Sequence, residues 1–305
     1  MRKTIMWFKQ AQLFEFEDKI PVNTKELEDQ LERLPFTPCL SGLPISQGWV
    51  SPTDEESNSL AYSVPGFLLI CLQTETKLLP SAIIRQRLNE RIKEIELTQA
   101  RKVSYKEKNI LKQDVYYELL PKAFGKLTRD YAFIDTKNNW LILNTNNTKR
   151  TESFISFLKR SLDKTKISTP ETKKLSPILT NWLLNNTHPK SLNIEDACVL
   201  QDPNQTERSI RIKQQDLSAN CIQVLIKKDF EISQIKITWN DQITFVLKND
   251  FTLQSLQYQD ALVALQDADK SDAEEDNFRA DFFIMSDILT KIFAELLAIF
   301  TKTAI

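Results

Sequence analysis

Basic residues are concentrated in the middle of this chain, in a stretch whose pattern predicts a pair of helices. Residues 81–174 include 21 lysines and arginines against 11 aspartates and glutamates, whereas the whole chain of 305 residues has a net charge of −1. Residues 250–305 carry 11 acidic side chains against 4 basic ones. A basic centre flanked by acidic material predicts a surface that attracts a polyanion while the rest of the molecule is kept away from it.

The basic stretch has the apolar spacing of a helical hairpin. After Pro80, apolar residues recur on one stripe, at Ile84, Leu88, Ile92 and Ile95. A second helical run begins near Ser104, where Ser104 and Glu107 form a capping-box pattern. Two helices joined near Val103 predict a projecting hairpin. We assign residues 81–130 to it, with its tip around Phe124.

The flanking segments predict an α+β fold. Residues 6–16 alternate like a strand and residues 24–34 are helical, and residues 232–257 read as an antiparallel meander before an amphipathic helix at 287–300. We therefore expect four parts: an N-terminal α+β part at 1–80, the hairpin at 81–130, an α+β continuation of the central part at 131–175, and a C-terminal part at 176–305 with antiparallel strands and a terminal helix.

Residue types that support catalysis are scarce. The single histidine, His188, lies in an Asn-rich segment bounded by proline, which favours a solvated loop. Only four glycines occur, so neither a Walker loop nor a dinucleotide-binding turn can be formed. The four cysteines are far apart, which favours buried free thiols in a reducing cytosol; they are Cys39, Cys71, Cys198 and Cys221.

An acidic run leaves a second class of function open. A metal-dependent nuclease could bind Mg²⁺ through its carboxylates, which are those of Asp267, Asp269, Asp272, Glu274, Glu275 and Asp276. Metal sites usually take their ligands from separate rigid elements, so we favour a solvated linker and predict neither a metal nor a cofactor. A third reading is a scaffold whose basic helices bind acidic protein partners or anionic lipid. The chain has no apolar targeting or membrane-spanning run, and we expect a cytoplasmic protein.

The candidate residues for contact with a polyanion are the cations of the basic stretch and of one later strand. Residues 209–213 alternate, so two of these cations share one face of that strand. The candidates are Arg85, Arg87, Arg91, Lys93, Arg101, Lys102, Lys122, Lys126, Arg211 and Lys213.

Phe124 stands between Lys122 and Lys126, just after Pro121, which should end the preceding helix. It could be an ordinary core residue, since most apolar residues beside a turn pack inward. It could also be an exposed apolar knob at an interface, where aromatic residues are enriched. Composition does not choose between the two.

Short strings spread over the whole chain carry a family resemblance. They are MWFK at 6–9, FTPC at 36–39, GWV at 48–50, LLP at 78–80, QARK at 99–102, LLP at 119–121 followed by AF at 123–124, ID at 134–135, QDL at 215–217 and ADF at 280–282. In this order and spacing, the chain resembles the RdgC family of proteobacterial recombination-associated proteins.

The resemblance implies a horseshoe-shaped subunit with mixed or antiparallel sheets that closes with a second copy into a ring around duplex DNA. It implies DNA binding with little sequence preference, association with the nucleoid, restraint of RecA-driven strand exchange and no enzymatic activity. It also implies ring contacts at Phe124 and Gln215. Lys122 and Gln214 stand where the family pattern has Arg and Lys, which puts in question a bidentate phosphate contact at the first and a charge at the second.

Overall fold

The computed structural model describes residues 7–18, 23–53, 59–163, 165–259 and 274–301. Its helices are α1 (Thr24–Leu31), α2 (Ser81–Gln99), α3 (Tyr105–Leu119), α4 (Thr148–Ser161), α5 (Leu175–Asn185), α6 (Asn220–Ile226) and α7 (Glu274–Thr301). Its strands are β1 (Gln10–Phe16), β2 (Ile45–Val50), β3 (Ala61–Val64), β4 (Phe67–Leu78), β5 (Phe124–Asp135), β6 (Trp140–Leu143), β7 (Ile167–Ser168), β8 (Leu192–Asp202), β9 (Gln205–Ile212), β10 (Glu231–Trp239), β11 (Ile243–Lys248) and β12 (Leu253–Tyr258).

The twelve strands form one sheet in the order β2-β4-β5-β6-β1-β12-β11-β10-β8-β9, with β3 added beside β4 and β7 beside β1. Every ladder between these strands is antiparallel. β1 joins two halves of the sheet, because it pairs with β6 on one side and with β12 on the other. The second pairing is short and matches Gln10 with Gln254 and Ala11 with Leu253.

Two hydrophobic cores lie on opposite faces of this sheet. The larger core runs across both halves beneath α7, where Phe282 contacts Phe133 and Tyr62 with ring centroids 6.2 Å apart in each pair. The smaller core lies between the first half of the sheet and helices α1 and α4. There the buried Trp49 indole donates to Ser161 Oγ at 2.8 Å, so its one polar atom is satisfied.

The structure confirms the predicted α+β class and the antiparallel meander, which is formed by β10, β11 and β12. The terminal helix is also present, but it begins at Glu274, well before the expected residue 287. The four-part division of the chain stays a prediction. The hairpin's expected tip differs, because residues from Phe124 onward belong to β5 and pair with β4 along its whole length.

The cysteine prediction is correct for two of the four residues. Cys71 and Cys198 are buried, and burial raises their thiol pKa values to about 12 and about 11. Cys39 is half-buried, and for Cys221 the prediction was wrong, because it lies exposed on the short helix α6 that the sequence analysis missed. His188 lies in a loop as expected, with its ring nitrogens near Pro189 O and Asn186 Oδ1.

Candidate nucleic-acid interface

Two exposed helices, α2 and α3, form a hairpin at one end of the β4–β5 ladder. α2 has no buried residue, and α3 buries only Val115. Leu78, at the end of β4, pairs with Phe124, at the start of β5, so the strands hold the two ends of the insertion together. The hairpin's free end lies near Ala100, which ends α2 in the left-handed conformation at φ 49°. Almost the entire surface of the hairpin is therefore open to solvent.

Three of the candidate arginines form ion pairs with carboxylates of the hairpin itself. Arg87 and Arg91 on α2 both donate to Glu118 on α3, at 3.2 and 2.8 Å. Arg87 also contacts Glu90 on its own helix at 3.4 Å. The hydrogen bond to Glu118 is the main cause of the raised pKa of Arg87. These pairs hold the two helices together and reduce the positive charge that they offer to a ligand.

Arg101 forms a bidentate pair near the hairpin's free end. Its two terminal nitrogens each donate to one carboxylate oxygen of Glu107 at 2.7 Å. The pair lowers the pKa of Glu107 and raises that of Arg101. Ser104 Oγ accepts from the Glu107 backbone amide at 3.3 Å, which confirms it as the helix N-cap. In a complete capping box the Glu107 carboxylate would also accept from the Ser104 backbone amide. Here the carboxylate pairs with Arg101 instead.

The other five candidate cations on the hairpin and at the start of β5 are exposed, and none of them forms an ion pair with a carboxylate that the structure describes. They are Arg85, Lys93, Lys102, Lys122 and Lys126. Lys122 ends a short 3-10 turn after α3, and Lys126 lies in β5 opposite Thr76. This group of five is the part of the predicted basic surface that is available to an anion.

Arg211 and Lys213 lie at the other end of the sheet's strand order from the hairpin. Arg211 is exposed on β9, opposite Val199, and Lys213 follows the strand's end. β9 stands seven positions from β5 in the strand order, which corresponds to about 34 Å across a flat sheet. The predicted alternation is confirmed, because Ile210 and Ile212 pack against the large core while Arg211 points to the other face. The chain therefore carries two separate groups of candidate cations.

Phe124 is exposed rather than part of a core. Its side chain is 85% accessible, and its ladder partner Leu78 is 51% accessible. Ile45 lies on the same face, because it pairs with Thr76, which in turn pairs with Lys126. The sequence analysis missed Leu78 and Ile45 as neighbours of Phe124, although Leu78 lies in the LLP string at 78–80. The three side chains form an apolar patch at the base of the hairpin.

The opposite face of this ladder carries a polar contact beside Phe124. Gly125 faces Glu75 there, and a Cβ added at Gly125 would lie 2.1 Å from Glu75 Oε1. Glu75 accepts from the Cys39 backbone amide at 2.8 Å and pairs with Lys77 at 3.2 Å. These bonds, led by the Cys39 amide, lower the pKa of Glu75. A side chain at Gly125 would therefore have to displace the Glu75 carboxylate from these bonds.

Gln214 and Gln215 follow β9 in an exposed loop. Gln214 adopts the left-handed conformation at φ 52°, and the Gln215 amide donates to Asp196 O at 3.1 Å. The loop is therefore held against β8 while both side chains remain exposed. Gln215 lies at the β9 end of the sheet and Phe124 at the hairpin end, so the two residues expected to make ring contacts are on different parts of the chain.

Within the described residues, no group of three or more histidine, cysteine, aspartate or glutamate side chains is placed to hold a metal ion. The acidic run considered for a nuclease lies outside this search. Residues 267–273 are outside the described residues, and the side chains of residues 274–276 are not described either. The described surface carries exposed cations on and beside the hairpin and an apolar patch at its base.

A family model described as "Putative exonuclease, RdgC" matches residues 6–303. The chain belongs to the RdgC family. Several relatives named recombination-associated protein RdgC match along nearly their whole lengths. The protein from Serratia proteamaculans is 33% identical over 291 residues, covering 94% of this chain and 95% of the relative. The one from Psychromonas ingrahamii is 32% identical over 297 residues, covering 97% and 98%.

The relative from Sodalis glossinidius is 29% identical over 296 residues, covering 96% of this chain and 97% of its own. The resemblance inferred from short strings is thereby confirmed over almost the whole chain. Among the described helices, including the long α7, none has a stretch long and apolar enough to cross a membrane.

Proposed function

We propose that this chain binds double-stranded DNA without sequence preference, as a ring-shaped homodimer that encircles the duplex, and so limits the access of RecA to DNA during recombination. The proposal rests above all on the five exposed candidate cations, Arg85, Lys93, Lys102, Lys122 and Lys126, which form no ion pair with a described carboxylate. The names of the relatives support the recombination role.

Cations of this kind bind the DNA backbone through counterion release. Each phosphate that a lysine or arginine neutralises frees condensed counterions, so affinity falls with salt at a log–log slope of about −0.9 per phosphate. Base-specific recognition needs side chains that reach base edges in a groove. A lysine-rich, flexible set such as Lys93, Lys102, Lys122 and Lys126 suits phosphate contact, which carries no sequence information.

The horseshoe shape and the ring belong to this proposal. Two areas, the patch around Phe124 and the loop at Gln215, stand at different places on the subunit, as a closed ring of two copies requires. A second copy would bring Arg211 and Lys213 of one subunit into the same passage as the hairpin cations of its partner. A closed ring also slows dissociation, because the duplex must slide out or an interface must open.

The effect on RecA would follow from occupancy. A duplex covered by rings is not accessible to a RecA filament, and the protein would then be found on the nucleoid. Inhibition of strand exchange should rise with the fraction of duplex covered and should be relieved by salt. Inhibition that follows the RecA concentration at salt levels where no DNA is bound would instead support direct contact between the two proteins.

We propose that the protein acts without hydrolysis, which distinguishes it from the exonuclease named in the family description. Incubation with Mg²⁺ and end-labelled linear duplex, at concentrations that saturate binding, tests this directly. We expect the label to stay in full-length DNA. Release of labelled nucleotides, lost when Asp267 and Asp269 are changed to Asn, would favour the nuclease.

A salt-titrated binding assay on unrelated duplexes of equal length, combined with a mass measurement, tests the main proposal. We expect equal affinities, a steep salt dependence and the mass of a dimer. A monomer, or affinity that depends strongly on sequence, would contradict the proposal. Retention on heparin without duplex binding would instead support the scaffold for acidic partners.

A further inference from the structure

A groove runs along one side of α4, between this helix and the turn that follows α1. Its volume is about 1010 Å³. Residues four apart share one face of a helix, and Thr151, Ile155 and Lys159 form the α4 wall in this way. From Thr151 to Ser161, where α4 ends, the helical rise gives about 15 Å, which is the length of about five residues of extended chain. The groove therefore has the length of a short peptide.

Hydrogen bonds hold the two walls of the groove in place. Thr151 Oγ1 donates to Gln12 Oε1 on β1 at 2.7 Å, which ties the first part of α4 to the sheet. In the opposite wall, Leu34 O accepts from the Trp49 backbone amide on β2 at 3.0 Å. Because both walls are fixed by the fold, a ligand would not have to order them, and the free-energy cost of binding is lower.

The floor of the groove is apolar and one end is cationic. Phe14, Leu34 and Ile155 line the floor, and all three belong to the smaller core or pack against it. Lys159 and Arg160 line the end nearest the C-terminus of α4. A concave apolar surface with a few polar groups in fixed positions is the usual construction of a ligand site.

Neither of these two cations forms an ion pair with a carboxylate that the structure describes. Lys159 is half-buried. The Arg160 guanidinium lies 5.3 Å from the Phe157 ring centroid, and this contact holds it beside the groove. A carboxylate placed between the two side chains would gain charge-assisted hydrogen bonds from both. The cationic end therefore suits an acidic ligand.

Two acidic side chains determine which kind of anion fits. Glu152 lines the groove toward the start of α4, and Asp163 lines it beside the cations, where it pairs with Arg33 at 2.7 Å. A nucleic-acid strand carries a phosphate at every nucleotide, so it would also bring negative charge to Glu152, and like charges in contact are costly. A peptide can keep its carboxylates at one end and place apolar side chains on the floor. The charges therefore favour a peptide.

We propose that this groove binds an acidic peptide segment of a partner protein. The apolar side chains of the segment lie on the floor of the groove, and its carboxylates pair with Lys159 and Arg160. This site is separate from the hairpin and does not depend on the proposed function. A copy of this chain that holds DNA through the hairpin could therefore hold a second protein through α4.

Fluorescence anisotropy with labelled hexapeptides tests the proposal. The probes are Leu-Phe-Ser-Asp-Asp-Glu and the same residues in reverse order, so that both chain directions are sampled. We expect at least one probe to bind with a Kd below about 1 mM, and its analogue with lysines in place of the acidic residues to bind about tenfold more weakly or worse. Absence of binding by both probes would overturn the proposal.

Three variants assign the binding to the groove. Lys159→Gln should weaken it about tenfold, because the peptide carboxylate loses a charged partner. Lys149→Gln is the matched control, since Lys149 is exposed on the same helix and does not line the groove. Ser156→Trp should abolish binding, because Ser156 is exposed and the indole would fill the groove from its rim. Thermal unfolding should confirm that all three variants fold.

Two outcomes would contradict the assignment. An equal loss of affinity in Lys149→Gln and Lys159→Gln would show a general charge effect. Displacement of the bound peptide by saturating duplex DNA, with weaker duplex binding by Lys159→Gln, would assign the groove to nucleic acid. We expect the peptide to stay bound when duplex is added. Loss of duplex binding elsewhere on the chain would refute the proposed function and leave the peptide site intact.

Discussion

Replacing Lys93 and Lys102 with glutamine should change the salt dependence of DNA binding by a predictable amount. Both side chains are exposed on the hairpin, and neither forms an ion pair with a described carboxylate. In the proposed dimer, the variant loses four cations. The log–log salt slope should therefore become shallower by about 3.6, at about 0.9 per phosphate contact. At 0.15 M salt this corresponds to binding about 1,000-fold weaker, if affinity at 1 M salt is unchanged.

The assay is fluorescence anisotropy with one duplex over a series of salt concentrations. The matched control is Lys227→Gln with Lys228→Gln, which removes the same charge from exposed positions at the end of α6. The control should keep the original slope, and thermal unfolding should confirm that both variants fold. An unchanged slope in the hairpin variant, or an equal change in the control, would refute the assignment of the binding surface to the hairpin.

Three further predictions follow from side-chain partners. Glu118→Gln should free Arg91 and leave Arg87 with only its contact to Glu90, so DNA binding should strengthen and its salt slope should steepen, by up to about 3.6 for the proposed dimer; weaker binding would contradict this. Phe124→Ser should weaken the dimer in sedimentation while leaving the melting temperature nearly unchanged, because the ring is 85% exposed; a large drop in melting temperature would identify it as a stabilising residue. Arg150→Met should lower the free energy of unfolding at pH 7 by about 1–3 kcal/mol, since it leaves the buried Asp130 carboxylate without its cation. Burial already raises the pKa of Asp130, so the variant's loss should shrink in urea unfolding as pH falls toward about 4, and a loss independent of pH would contradict the assignment.

Local patterns in the sequence were sufficient to predict the hairpin. The apolar stripe that includes Ile84 and Leu88 has helical spacing, and Ser104 is an N-cap residue whose role depends on its immediate neighbours. These features are local, so the sequence contains them in full. The strand meander was predictable for the same reason, because alternation and turn residues recur over short distances.

Long-range pairing limited the prediction of the site. Phe124 was expected at a helical tip, but it begins a strand because Leu78, 46 positions earlier, pairs with it. Its exposure depends on which side of that ladder the helices cover, and composition carries no information about this. The neutralisation of Arg87 and Arg91 by Glu118 likewise depends on how two helices pack. The sequence could therefore identify the cations but could not show which of them remain available.

Encirclement of the duplex is tested most directly by comparing closed circular and linear DNA of the same sequence. Complexes are formed at low salt and then challenged with high salt, and the protein that remains bound is measured over time. We expect protein to remain on the closed circle and to be released soon after a single restriction cut. Equal rates of loss from the circle and from the linear form would contradict a ring that encloses the DNA.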